Sequence, residues 1–201
     1  MQGDTPLKFE FPFDLTICGI EELPGHAARQ VSHVLSILDP DHAELEAFGT
    51  YGEHARLELR FHDIIEETPG EEAPQPHHVE QVLSFGRDIL REPEALRHLL
   101  VHCHMGVSRS TAAMTLLLAQ AHPELPAREV LHRVLAIRDR AWPNLRMLTF
   151  GEQQLGRGGE FTGAVGEIYR FQIDRRPQIK DFFIEAGRAR EVELALRGNK
   201  S

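Results

Sequence analysis

The stretch HLLVHCHMGVSRSTAAMTLLLAQA, residues 98–121, constrains the fold more than any other part of the chain. Its first six residues form an apolar run of the length a buried strand takes, and RSTAAMTLLLAQA (109–121) carries an almost wholly apolar helical stripe that HPELP ends. A buried strand that returns as a buried helix after a five-residue loop needs covering layers on both sides. An α/β arrangement supplies them.

The flanking sequence provides the layers. DLTICGI (14–20) and VSHVLSILD (31–39) read as two further buried strands, joined by the polar and partly helical link EELPGHAARQ. ARLELRFHD (55–63) alternates Leu57, Leu59 and Phe61 with charged neighbours, the period of a strand with one covered face. IIEETPGEEAPQP (64–76) is too rich in Pro, Gly and Glu for regular structure and reads as a loop. Helical periodicity runs through HHVEQVLSFGRDILREP (77–93), AREVLHRVLAIRDR (127–140) and NLRMLTFGEQQLGRGG (144–159). The glycine-rich GRGGEFTG (156–163) lacks the Lys-Ser/Thr ending of a nucleotide phosphate loop and reads as a helix stop. The expected fold is α/β, with a central, mostly parallel sheet flanked by helices.

With 41% hydrophobic and 26% charged residues, a chain of 201 residues fits one soluble globular domain. It has no apolar run of the roughly 20 residues that cross a bilayer, and the opening MQGDTPLKFE lacks a basic-then-apolar leader, so a cytoplasmic protein is expected. The net charge of −9 argues against general binding to nucleic acid or anionic membrane. That charge is uneven: residues 170–201 hold eight Lys and Arg against five Asp and Glu, a net of +3, which leaves −12 for residues 1–169. Residues 1–169 are therefore read as the functional domain and 170–201 as a C-terminal extension. Ile179, Phe182, Phe183 and Ala186 fall on one helical face there, suiting a helix docked on the domain, with a dimer or partner contact as the alternative. The sequence leaves the oligomeric state open.

Chemistry concentrates in the loop after Cys103. The backbone amides of His104, Met105, Gly106, Val107 and Ser108 can turn inward as an anion-binding nest, and the start of the following helix adds unpaired N–H groups and partial positive charge. Gly106 permits a left-handed or closely approaching backbone. Arg109 offers a planar fork that grips two phosphate oxygens. The features that hold an anion also stabilise a thiolate, which makes Cys103 a nucleophile at neutral pH. Cys18 lies far away in sequence, in a predicted core strand. It reads as structural, the alternative being a partner that traps oxidised Cys103 as a disulfide. A leaving ester oxygen needs a proton, and Asp63, which ends a strand and opens a loop, is the candidate acid, with Glu66 and Glu67 as stand-ins; its other reading is a turn cap. Asp88, on a predicted solvent-facing helix position, is less suited.

VHCHMGVSRST resembles the HC-x5-R-S/T signature of cysteine-dependent protein tyrosine and dual-specificity phosphatases, most strongly over residues 31–122 and more weakly over 14–160. The upstream FHDI (61–64) is similar to a stretch of the compact bacterial members. The resemblance implies a dual-specificity-phosphatase-like fold with Cys103 as nucleophile of a phosphocysteine intermediate, Arg109 and the amides of 104–109 as phosphate ligands, and Asp63 as general acid. It further implies that Ser110 hydrogen-bonds the sulfur and that His102 orients the loop. The substrate is then a phosphorylated protein or small phosphomonoester, the product phosphate. HMGVS has no Lys or Arg to suit a phosphoinositide, which favours phosphotyrosine, alone or with phosphoserine and phosphothreonine. No cofactor or metal is expected: His62, His77, His78, His102 and His104 lie near the loop, but no H-E-x-x-H or paired C-x-x-C occurs. Two rivals use the same kind of loop. A rhodanese-type or arsenate-reductase-type thiol enzyme needs neither Ser110 nor Asp63, and a phosphoprotein-binding module would bind without turnover.

Overall fold

The computed structural model describes residues 13–197. Residues 1–12, on which the expectation about a leader falls, and the last four residues of the extension lie outside the described residues. Four parallel strands, β1 (Asp14–Cys18), β2 (His33–Leu38), β3 (Ala55–Arg60) and β4 (His98–His102), form one sheet in the order β1-β4-β2-β3. Each is one to three residues shorter at its ends than the apolar run that announced it. His102 stands level with Cys18 on one side and Ser36 on the other. Cys103 therefore leaves the sheet at its carboxyl edge, where β2 delivers Asp39 and β3 delivers Asp63. Ligands of open parallel sheets gather at this edge.

The central strands are covered on both faces. Leu35, Ile37, Leu99 and Val101 pack into the main core, while Val34, Leu100 and Cys18 face the opposite way. Helices α1 (Pro76–Arg91), α2 (Arg109–Ala121), α3 (Ala127–Ile137) and α4 (Leu145–Gln154) build the first layer. α2 is buried from Arg109 to Ala119, as its apolar stripe requires. It packs so closely on α4 that a methyl at Gly151 would meet Leu116 Cδ2 at 2.2 Å. The other face is closed by two 3-10 helices, Ile20–His26 and Glu46–Thr50, through Leu23 and Phe48. The Pro- and Glu-rich segment after Asp63 holds no regular element up to α1. No helix among the described residues is long and apolar enough to cross a membrane.

GRGGEFTG does more than stop a helix. Gly156 and Gly159 take left-handed φ of 69° and 87°, ending α4, and α5 (Glu160–Arg175) starts at once. Its first turn is capped by the buried Glu152, which accepts from the Phe161 and Thr162 amides at 2.9 and 3.0 Å. The division at 169/170 thus falls inside α5. Beyond it come α6 (Ile179–Glu185) and α7 (Ala189–Arg197), with α7 packed so closely on α5 that a methyl at Gly166 would lie 2.9 Å from the Leu194 carbonyl oxygen. Ile179, Phe182, Phe183 and Ala186 do not share one docked face, contrary to the expectation from their spacing. α6 has seven residues before Gly187 turns it at φ 73°, and neighbouring side chains point about 100° apart around a helix. Phe183 stacks on Trp142 at 4.1 Å, whereas Phe182 is 63% exposed and Ala186 also faces solvent.

Candidate active site

Every carbonyl of the loop from His104 to Ser108 is held from outside. Ile20 N donates to His104 O at 3.0 Å; Arg138 and Arg140 donate to Met105 O at 3.0 and 3.2 Å; Arg138 Nε donates to Gly106 O at 2.9 Å. Val107 O accepts from Trp142 N at 2.9 Å and Thr111 Oγ1 at 2.6 Å, and Ser108 O from Ala112 N at 2.9 Å. Among the described residues no protein acceptor takes the N–H groups of residues 104–108. Successive backbone N–H groups left unclaimed in a turn are an arrangement that can take an anion. Arg138 is itself held by a two-pronged ion pair to Glu22 at 2.8 and 2.6 Å, which lowers the Glu22 carboxyl to about 2.

Gly106 is needed twice over. Its φ is 63°, and a Cβ there would lie 2.4 Å from the Cys18 carbonyl carbon and 2.7 Å from Gly19 N. Gly106→Ala is expected to cost more than the roughly 1–3 kcal/mol of left-handed strain, since two backbones must also part. Thermal unfolding should record this at about 2–4 °C in Tm per kcal/mol for a chain of this size. An unchanged Tm would mean that the loop does not abut β1.

Cys103 sits at the floor, buried, with Sγ 3.1 Å from Ser110 Oγ. Arg109 is 3% exposed; its Nη1 donates to Asp39 Oδ1 at 2.6 Å and to the Phe61 carbonyl, while Nε has no partner among the described residues. One nitrogen of the fork anchors it, and Nε is left unpaired. Asp63 lies beside the loop, partly buried, and Oδ1 accepts three hydrogen bonds: from Ser108 Oγ at 2.7 Å, Asn144 Nδ2 at 2.9 Å and Arg188 Nη1 at 3.1 Å. Oδ2 has no such partner among the described residues. Burial pulls the Asp63 carboxyl up, but the Arg188 and Arg109 guanidiniums with the Ser108 and Asn144 bonds outweigh it and hold it below the usual carboxylate range. Cys18 remains a free buried thiol, pushed up to about 12 by burial and by Glu22.

Of the stand-ins for Asp63, Glu66 lines a cleft with Asp63 and Arg109 but pairs with Arg190 at 3.3 Å, and Glu67 pairs with Arg146 at 2.9 Å; both are exposed. Asp88 pairs with Arg91 on the surface of α1. The histidines near the loop do separate work. His102 is wholly buried against Phe48, and burial lowers it to about 4. His104 Nε2 accepts from the Asp39 amide at 3.1 Å, burial and Arg109 keeping the ring neutral. His62 and His78 accept the Glu72 and Gln75 amides, and His77 lies against His78. Two clefts meet at the loop. One of about 640 Å³ is lined by Asp39, His62, Glu66, His104 and Arg109; the other, about 520 Å³, by Val107, Ser108, Phe182, Arg140 and Arg176; Asp63 and Met105 border both.

Asp39, Asn144, Arg138 and Arg188 were not singled out in the sequence. Asn144 carried the one usable signal, as an amide side chain opening a helix: its Oδ1 caps the Met147 amide at 3.1 Å while its Nδ2 reaches Asp63.

The chain has the fold of dual-specificity and protein tyrosine phosphatases. It matches the Cydia pomonella PTP-2 phosphatase at TM-score 0.55, with 17% identity over 70% of this chain and 84% of that one. Human DUSP28 matches at 0.53 (16% identity, 71% and 91%), and the Yvh1 phosphatase domain of Chaetomium thermophilum at 0.50 (23%, 73% and 93%). No model of a protein family matches the sequence, and no curated protein does.

Proposed function

We propose that the chain is a cysteine-dependent phosphomonoester hydrolase, a protein tyrosine or dual-specificity phosphatase that works through a phosphocysteine and uses neither metal nor cofactor. The observation that carries this reading is the loop: carbonyls held by Ile20, Arg138, Arg140 and Trp142 and by Thr111 and Ala112 of α2, amides with no protein acceptor, a buried thiol and an Arg109 Nε left without a protein partner. An anion of phosphate size satisfies the amides and the guanidinium together.

The thiolate of Cys103 attacks phosphorus in line with the ester oxygen; the S–P bond forms, the P–O bond breaks, and its electron pair leaves with the oxygen. The Asp63 proton, carried on Oδ2, goes to that oxygen. Asp63, now a carboxylate, takes a proton from water, whose oxygen attacks phosphorus and expels the sulfur, and Ser110 Oγ donates to the departing thiolate. Inorganic phosphate is the product. A phosphate dianion beside Arg109 offsets the guanidinium charge that favours the Asp63 carboxylate, so binding restores the acid. His102 braces the loop as a buried neutral ring. The nucleophile, phosphate loop and acid lie within residues 1–169, and the described part of the extension, 170–197, packs against them through α5, α6 and α7. A loop without Lys or Arg and a cleft rimmed by Phe182, Arg140 and Arg176 suit a phosphorylated protein. Two buried free thiols suit a reducing compartment such as the cytoplasm.

Hydrolysis of para-nitrophenyl phosphate in the presence of a chelator, from about pH 4 to about pH 9, tests the reading. A bell-shaped rate is expected. No turnover at any pH, with phosphate still bound, would make the loop a binding module. Asp63→Asn should slow phenyl phosphate by about 10²-fold or more while para-nitrophenyl phosphate, whose leaving group needs little help, loses much less. Equal losses on the two esters would remove Asp63 from the acid role.

A further inference from the structure

We propose that Arg188, in the turn between α6 and α7, is a positioning residue for Asp63: held by the buried Glu191, its guanidinium pins one carboxylate oxygen so that the other is presented to the cleft. The inference rests on the reading of Asp63 as the acid. It assigns the C-terminal extension a part in the chemistry.

Arg188 is 3% exposed and Glu191 is fully buried. Nε and Nη2 of Arg188 donate to the two Glu191 oxygens, both at 2.8 Å, which aims Nη1 at Asp63. Glu191 also accepts from Trp142 Nε1 at 2.6 Å and the Leu145 amide at 2.9 Å, and the Trp142 amide holds Val107 O of the loop. One rigid platform therefore supports the loop and the acid from behind. Burying a guanidinium and a carboxylate costs more than burying apolar side chains of the same size, so docking α7 alone does not account for the pair.

The three donors on Asp63 all bond Oδ1. In the neutral acid the proton belongs on the oxygen that receives none, so all three bonds persist with Oδ2–H free to donate. Carboxylate and acid then share one orientation, and the proton can leave and return without the side chain turning. The charged and titratable groups around Asp63 are Arg188 from the α6–α7 turn, Arg109 from α2, His104 from the loop and Tyr169 from α5, with the neutral donors Ser108 and Asn144. The Arg188 charge favours the carboxylate. It thus sets where the rate falls as pH rises and the acid is lost.

The test compares kcat/KM against pH for para-nitrophenyl and phenyl phosphate in the full-length wild type, in Arg188→Lys and in the double variant Arg188→Met with Glu191→Gln, which leaves no buried charge behind. Both variants should lose about tenfold or more on phenyl phosphate and less than about threefold on para-nitrophenyl phosphate, with inhibition by vanadate nearly unchanged. The alkaline limb should move to higher pH in the double variant and stay in place in Arg188→Lys. Equal losses on both esters, weakened vanadate inhibition in both variants, or a limb that does not move in the double variant would overturn the inference. Should the double variant not fold, Arg188→Lys decides it alone through the ratio of the two esters. A wild type without turnover shows itself in the control and removes the phosphatase reading first.

Discussion

Cys103→Ser is expected to lose at least about 10⁴-fold in turnover of para-nitrophenyl phosphate while still binding vanadate or inorganic phosphate, the scale of loss when a nucleophile is removed from an otherwise intact site. The substitution exchanges sulfur for oxygen and leaves the amides of 104–108, the carbonyl anchors and Arg109 untouched. What it removes is the nucleophile. A serine hydroxyl needs a base to act at neutral pH, and the group beside Sγ is the hydroxyl of Ser110 at 3.1 Å, which cannot take its proton. Steady-state kinetics and calorimetric titration of phosphate, run on the same preparation, separate the two effects. Turnover above about 1% of wild type would place the nucleophile elsewhere. Loss of phosphate binding together with turnover would show the thiolate to be needed for the loop's shape.

The parts of the fold that were legible in the sequence are those written in local periodicity. Three apolar runs and one alternating stretch became four parallel strands, and the stripe of residues 109–121 became α2 with its bounds unchanged, because a helix buried on every side leaves little room for polar residues. What stayed illegible depends on long-range pairing. α5 was hidden because its N-terminal cap is Glu152, contributed by the preceding helix across a glycine turn. Cys103, Gly106, Arg109 and Ser110 were readable because a strand-to-helix anion loop keeps all its parts within eight residues. Their supports came from everywhere else: Asp39 from the end of β2, Glu22 and Arg138 from opposite sides of the loop, Asn144 and Arg188 from beyond it. Arg188 illustrates the reason. A lone arginine in a basic, charge-rich tail looks solvated, and only the three-dimensional meeting with Glu191 and Asp63 shows it to be buried.

Arg109→Lys is expected to reduce kcat/KM by about 10³-fold or more, with weaker phosphate inhibition and a fold close to wild type, in the range of losses seen when an arginine that meets transition-state charge is removed. The charge is conserved, so a simple electrostatic role would predict a mild effect. Geometry says otherwise. Nη1 is committed to Asp39 Oδ1 and the Phe61 carbonyl, while Nε is a separate nitrogen without a partner among the described residues. An ammonium has one nitrogen at the end of a flexible chain, and the part-buried Asp39 contact competes for it directly. Asp39→Asn separates anchoring from charge, because an amide oxygen can still accept from Nη1: it should cost far less than Arg109→Lys, about tenfold or under. If Arg109→Lys kept activity within about tenfold of wild type, the fork would be acting as a point charge, and the stabilisation of the transferring phosphoryl group would have to come from the loop amides alone.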